Sequence, residues 1–182
     1  MEHHMRLPLL DLQHDGKIAQ IFAHIKKTRG VLSYVLHSLG HAPDGLKAFA
    51  AYGEYVRYQS GLAGRERELT IITLARGNQY AWSHHVPAAL KAGVTQAEVD
   101  EIHEGRMPAT LSVREQAGVL FAGEFANLGK VSEATFSKTR EAYGERGVTD
   151  IALLCGYFLA LASFANTFDL ELEPYYKPLW RG

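Results

Sequence analysis

The sequence predicts an all-α protein, and three observations carry that prediction. Apolar residues recur at three- and four-residue spacing along almost the whole chain. No segment alternates long enough to make a convincing strand, and clusters of helix-ending or turn-starting residues interrupt the pattern repeatedly. The interruptions fall at HAPDG (41–45), SGLAG (60–64), RGNQ (76–79), AGVT (92–95), EGRMP (104–108), NLGK (127–130) and GERGV (144–148). They divide the chain into about eight helices.

Local chemistry justifies several of these boundaries. Thr95 with Glu98 and Ser112 with Glu115 match the capping box, in which a hydroxyl and a carboxylate satisfy free backbone N–H groups reciprocally. Ser132 and Thr149 are expected as simple caps. Gly93, Gly129 and Gly144 stand where a helix would end in a left-handed residue.

A chain of 182 residues fits one domain and can bury a core without disulfides or structural metal. With 19 Lys and Arg against 20 Asp and Glu, the formal charge is -1, so there is no basic excess for nucleic acid. The most apolar stretch, Ile151 to Ala165, is shorter than the roughly 20 residues of a membrane span and reads as a buried helix. The N-terminal segment MEHHMRLPLLDLQHDG has no secretion pattern, and a cytoplasmic location is the expectation. A lone cysteine, Cys155, cannot form an intramolecular disulfide or a dithiol centre; set in LLCGYF, it reads as a packing residue.

Two helices hold the residues that could carry chemistry. In RERELTIITLAR (65–76), helical spacing puts Glu68, Ile71, Ile72 and Ala75 on one stripe, which sets a carboxylate on an apolar face. Such a group is either ion-paired with a nearby arginine or has a pKa raised by its surroundings, which would suit it to proton transfer. In YAWSHHVPAALKAG (80–93), Trp82, His85, Ala88, Ala89 and Ala92 share a stripe, which points His85 inward. His85 is then a satisfied core histidine or a proton carrier. Tyr80 and His84 lie together on an adjacent stripe that faces a cleft or a subunit contact.

The nine histidines raise the question of metal, but no HExxH or comparable ligand spacing occurs, and His3 and His4 lie near the terminus. No metal site is expected. Nucleotide-binding glycine loops and the GxSxG elbow are also absent.

Together, residues 65–102 carry an ordered pattern: a helix with Glu68, then Tyr80-x-Trp82-x-x-His85, Ala89, Gly93, Thr95, Glu98 and Val99. This pattern resembles the carboxymuconolactone decarboxylase family, within the AhpD-like superfamily. The resemblance runs from about Asp44 to Asn127. It implies an all-helical AhpD-like domain that assembles as a trimer or hexamer. Residues 43–128 would form the family-like core, 1–42 an N-terminal helical extension, and 129–182 helices completing the same domain.

The resemblance also bears on activity. In the peroxidase branch a Cys-x-x-Cys pair follows the glutamate; here Tyr80 and Ser83 stand at those positions, which opposes dithiol peroxide reduction. In the decarboxylase branch the glutamate and histidine would serve proton transfer on a small organic acid or lactone, without metal or cofactor. The expected roles are Glu68 and His85 as acid/base pair, Tyr80 as orienting donor, and Trp82, Ser83 and His84 at the substrate. Ala81 replaces the acidic residue usual between the tyrosine and tryptophan, which leaves the family's name-giving substrate in question. A non-catalytic oligomeric binding protein is the third alternative. The aromatic segment with Tyr175, Tyr176 and Trp180 is expected to need covering.

Overall fold

Helical periodicity and capping produce eight α-helices and one π-helical turn, without strands, among the residues described by the computed structural model (5–10, 16–127 and 129–179). His3, His4 and Trp180 lie outside these residues. The helices are α1 (Gly16–Arg29), α2 (Tyr34–Leu39), α3 (Pro43–Glu54), α4 (Gly64–Ala75), α5 (Gln79–Lys91), α6 (Gln96–His103), α7 (Val113–Phe125) and α8 (Glu133–Thr167). The end of α3 runs into the π turn Tyr55–Gln59.

Both expected capping boxes form. The Thr95 hydroxyl accepts from the Glu98 N–H at 3.2 Å while the Glu98 carboxylate accepts from the Thr95 N–H at 2.8 Å, and Ser112 and Glu115 repeat the arrangement. Ser132 caps α8 by accepting from Thr135 N–H. Thr149 is not a cap. It lies inside α8 and donates its hydroxyl to the Glu145 carbonyl, because the helix resumes directly at Gly144 instead of restarting after a loop. Gly144 turns the chain with φ 73°, a left-handed value that costs glycine nothing, so one 35-residue helix bends there.

α4 is the central helix, packed against α5, α7 and α8. One apolar cluster joins it to α7 and α8 through Ile71, Phe121, Leu154 and Tyr157, and a second joins it to α5 and α6 through Ile72, Trp82, Val99 and Ile102. A third cluster, with Ile18, Phe22, Leu36 and Leu46, holds α1 and α2 on α3. By length and composition alone α8 could cross a membrane, yet its Ile151, Leu154, Cys155, Tyr157 and Phe158 are buried in the core.

An ion network fixes the start of α4. Arg65 contacts Glu98 of α6 and Glu115 of α7, each at 2.7 Å. Burial alone would raise the Glu98 pKa, but the Arg65 guanidinium and hydrogen bonds from Thr95 and Thr110 hold it at about 2. This clamp ties the start of α4 to the first turns of α6 and α7.

Candidate active site

α5 is anchored at its first turn by Asn78. The Asn78 side chain accepts from the Ala81 N–H at 2.8 Å and donates to the Asn166 side-chain oxygen of α8 at 2.8 Å. This fixes which face of α5 meets α8. Between α5, α4, α2, the π turn and α8 lies a cavity of about 230 Å³, walled mainly by apolar residues such as Leu74, Ala88 and Leu161.

His85 lines this cavity, and Glu68 stands behind it. The Glu68 Oε2 lies 3.4 Å from His85 Nδ1, and Oε1 lies 3.5 Å from Arg67 Nε. Both side chains are buried, and the His85 ring sits edge-on against Phe158, 4.8 Å between centroids. Burial would push the Glu68 pKa up; the His85 hydrogen bond and the charges of His85, Arg67 and Arg57 outweigh it and hold the carboxyl below its ordinary value. Of the two readings left open by the sequence, the direction of this shift favours the paired carboxylate over the raised one: apolar surroundings are present, but so are cations.

For His85 burial dominates and lowers the pKa, against the opposing pull of Glu68. The resting pair is therefore a carboxylate and a neutral imidazole. A carboxylate only accepts, so Nδ1 carries the imidazole proton and Nε2 remains as the basic nitrogen. The arrangement is that of a base oriented by a buried acid.

Two arginines share the same cavity. Arg57 projects from the π turn and lies over the Phe158 ring at 5.0 Å, and Arg29 donates to the Tyr157 hydroxyl at 3.0 Å and the Ala50 carbonyl at 2.9 Å. The approach of Arg29 requires Gly53, since a methyl group there would collide with both the Tyr157 hydroxyl and the Arg29 guanidinium. π turns insert a residue and re-aim the side chains around them.

The adjacent histidine belongs to a different assembly. His84 Nδ1 donates to the Tyr80 carbonyl at 2.7 Å, and Nε2 lies 2.8 Å from Glu173 Oε2 outside hydrogen-bond alignment. Glu173, 1% exposed, accepts at Oε1 from the Tyr34 N–H at 2.6 Å and the Tyr80 hydroxyl at 2.8 Å. Its burial, which would raise the pKa, is outweighed by His84 and by these donors, and the carboxyl is held below its ordinary value. Tyr80 is pushed upward by burial and by Glu173. Tyr176 closes the group with its ring 4.0 Å from His84.

Among the residues expected at the site, Glu68 and His85 meet as a pair, and Tyr80 and His84 line the same cavity while bonded to Glu173 or to each other. Trp82 and Ser83 are corrections. Trp82 is turned into the α4–α6 core, against His103, and does not wall the cavity. Ser83 is 1% exposed and accepts from the Leu179 N–H at 3.2 Å, which ties down the C-terminal segment. Cys155 is fully buried, and burial raises its thiol pKa far above neutrality. Among the described residues no three His, Cys, Asp or Glu side chains converge on a possible metal position.

Sequence reasoning missed Arg29, Arg57, Phe158, Glu173 and Tyr176. Arg29, Arg57, Phe158 and Tyr176 reach the cavity by long-range packing and Glu173 backs its Tyr80 and His84, and none lies in a motif that could have marked it.

The fold and this buried site define a class: an all-α protein of AhpD-like architecture. The chain is similar to the AhpD-core, peroxidase-related protein from Ralstonia eutropha JMP134, at 24% identity with 93% of each chain covered and a TM-score of 0.78. It is similar to a peroxidase-related protein from Silicibacter sp. TM1040, at 20% identity, 97% of this chain and 95% of that one, TM-score 0.78. The debrominase Bmp8 in complex with 2,3,4-tribromopyrrole matches at 17% identity over 94% of this chain and 95% of that one, again with TM-score 0.78. No curated protein matches the chain. Residues 43–124 match the model of the carboxymuconolactone decarboxylase family, in line with the resemblance carried by the Tyr80-x-Trp82-x-x-His85 pattern.

Proposed function

We propose that the protein is a cofactor-independent enzyme that transfers protons on a small organic acid or lactone, in a decarboxylation or related lyase reaction, with His85 as the proton carrier. One observation supports this above others: a neutral imidazole on the wall of an apolar cavity, with an ionised glutamate held against its far nitrogen. The imidazole can accept a proton at Nε2. The Glu68 carboxylate then stabilises the imidazolium, which can hand that proton to carbon. In a decarboxylation the carbon–carboxylate bond breaks, its electron pair passes into the conjugated system of the substrate, and carbon dioxide leaves. The delivered proton completes the product at that carbon.

Tyr80 acts in this reading as a positioning residue, since its hydroxyl proton is directed to Glu173. Dithiol antioxidant chemistry has less support: Tyr80 and Ser83 occupy the cysteine positions of that branch, and Cys155 is a buried, protonated thiol in another helix.

The test is carbon dioxide release from a panel of unsaturated lactone acids, with bromide release from 2,3,4-tribromopyrrole followed separately because that compound is the ligand of the structural neighbour. Turnover of an acid that disappears in Glu68→Gln and His85→Gln is the expected result. Full turnover in Glu68→Gln, or a peroxidase rate abolished by Cys155→Ser, would end this reading.

A further inference from the structure

Two cations in the cavity have no use in the chemistry above. Arg29 closes α1 and Arg57 sits in the π turn, 28 positions apart in sequence, yet both guanidiniums border the same 230 Å³ space. Among the described residues no carboxylate approaches either one within ion-pair distance. The Nε of each is buried without a hydrogen-bond partner. They lie near enough for the Arg29 charge to disfavour that of Arg57, whose burial already acts in the same direction. Glu68 exerts a partial counter-charge from behind His85 but does not touch them.

Bringing two like charges into one poorly hydrated space is unfavourable unless something neutralises them. A guanidinium presents a planar fork of donors that matches an oxyanion in two-point contact. The Phe158 ring beneath Arg57 and the Tyr157 hydroxyl at Arg29 hold both forks in place before any ligand arrives. The same cavity is also lined by apolar residues such as Leu161 and Ala88, and by His85. Its volume is below the roughly 300–1,000 Å³ common for drug-sized ligands.

We infer that Arg29 and Arg57 form an anion subsite that holds the carboxylate of a small, otherwise apolar monoacid, leaving the carbon skeleton against the apolar wall and within reach of His85. Among the described residues the lining holds no third arginine and no lysine, so a second anionic group would find no further guanidinium or ammonium and a dianion is disfavoured. The orientation toward His85 rests on the proton-transfer reading. Capture of the carboxylate does not.

4-Fluorobenzoate, 4-fluorobenzamide and inorganic phosphate serve as probes, titrated by ¹⁹F NMR for the first two and by calorimetry for all three. The wild-type protein should bind the benzoate at least about tenfold more tightly than the amide or phosphate, because only the benzoate offers both a charge for the forks and a body for the wall. Arg57→Gln should weaken benzoate binding by about tenfold or more and leave the amide unchanged, with Arg57→Lys intermediate. Glu68→Gln should keep or strengthen benzoate binding, since it removes a nearby negative charge. Equal affinity for benzoate and amide in the wild-type protein would overturn the inference without any variant, and phosphate matching benzoate would overturn the monoacid claim. Loss of turnover with binding intact concerns His85 alone, so the two ideas fail separately.

Discussion

His84 and His85 are neighbours on one helix, each faces a glutamate, and the two pairs are built oppositely. Glu173, opposite His84, accepts from two donors, the Tyr34 N–H and the Tyr80 hydroxyl, and has the imidazole 2.8 Å from its other oxygen. Glu68, opposite His85, has a longer 3.4 Å contact and a loose one to Arg67, and its histidine borders open space. The His84 imidazole donates from Nδ1 to a carbonyl and sets Nε2 beside a carboxylate; the His85 imidazole sets Nδ1 against Glu68 and leaves Nε2 as its basic nitrogen. The same two residue types thus make a fastening in one place and a reactive group in the other. What separates them is how firmly the glutamate is held by other residues: two short hydrogen bonds at Glu173, one loose arginine contact at Glu68.

Substitutions can break this contrast. The largest effect is expected at the reactive pair: His85→Gln should lower kcat by about 10²–10⁴-fold while thermal stability changes little, measured by initial rates and calorimetric melting. A comparable loss of stability with unchanged kcat would make His85 a core residue after all. Next, Glu173→Ala removes one partner of a buried, hydrogen-bonded pair and should cost about 3–5 kcal/mol of stability in denaturant unfolding. A cost near zero would mean that the C-terminal segment is held by other contacts.

A pH series sharpens the same comparison. Glu173 and Glu68 both have folded pKa values below their unfolded ones, so their stabilisation is fully present above the ordinary glutamate value of 4.5 and fades as pH falls through the folded values. His85 is depressed as well, so its contribution is present above 6.5 and fades as acid charges it. Acid unfolding monitored between pH 7 and 3 should therefore show stability falling throughout. The wild-type fall below pH 4.5 should shrink in Glu173→Gln. The smallest effect is spectroscopic: His85 should titrate by NMR with a midpoint below 6.5, and Glu68→Gln should lower it further by removing the charge that favours imidazolium. An upward move in that variant would contradict the assigned charge on Glu68.

Much of this architecture was readable along the chain because it is local. The capping boxes at Thr95 and Ser112, the left-handed turns at Gly93, Gly129 and Gly144, and the inward face of His85 depend on residues a few positions apart. Even the meeting of Glu68 and His85 needs only two consecutive helices and the short turn between them. Trp82 was misjudged for a geometric reason. Three positions from His85, it lies on the same broad stripe but about 60° around the helix, enough to turn it to α6 while His85 turns to α8. Glu173 and Arg29 were not readable because their partners, Tyr80 and Tyr157, are 93 and 128 positions away. The sign of the Glu68 shift stayed open between a paired and a raised carboxyl, because burial opposes His85, Arg67 and Arg57 and the balance depends on how they pack.

The stitching of the late segment onto earlier parts of the chain bears on how the protein is made. Arg6 bonds to Phe168, Tyr34 to Glu173 and Ser83 to Leu179, so residues 168–179 must have left the ribosome before these seams can close. At about 5–20 residues per second, several seconds separate the synthesis of α5 from that of its covering segment. During that interval the nascent chain exposes a half-built, greasy chamber, a natural moment for a chaperone or a sister chain to engage it.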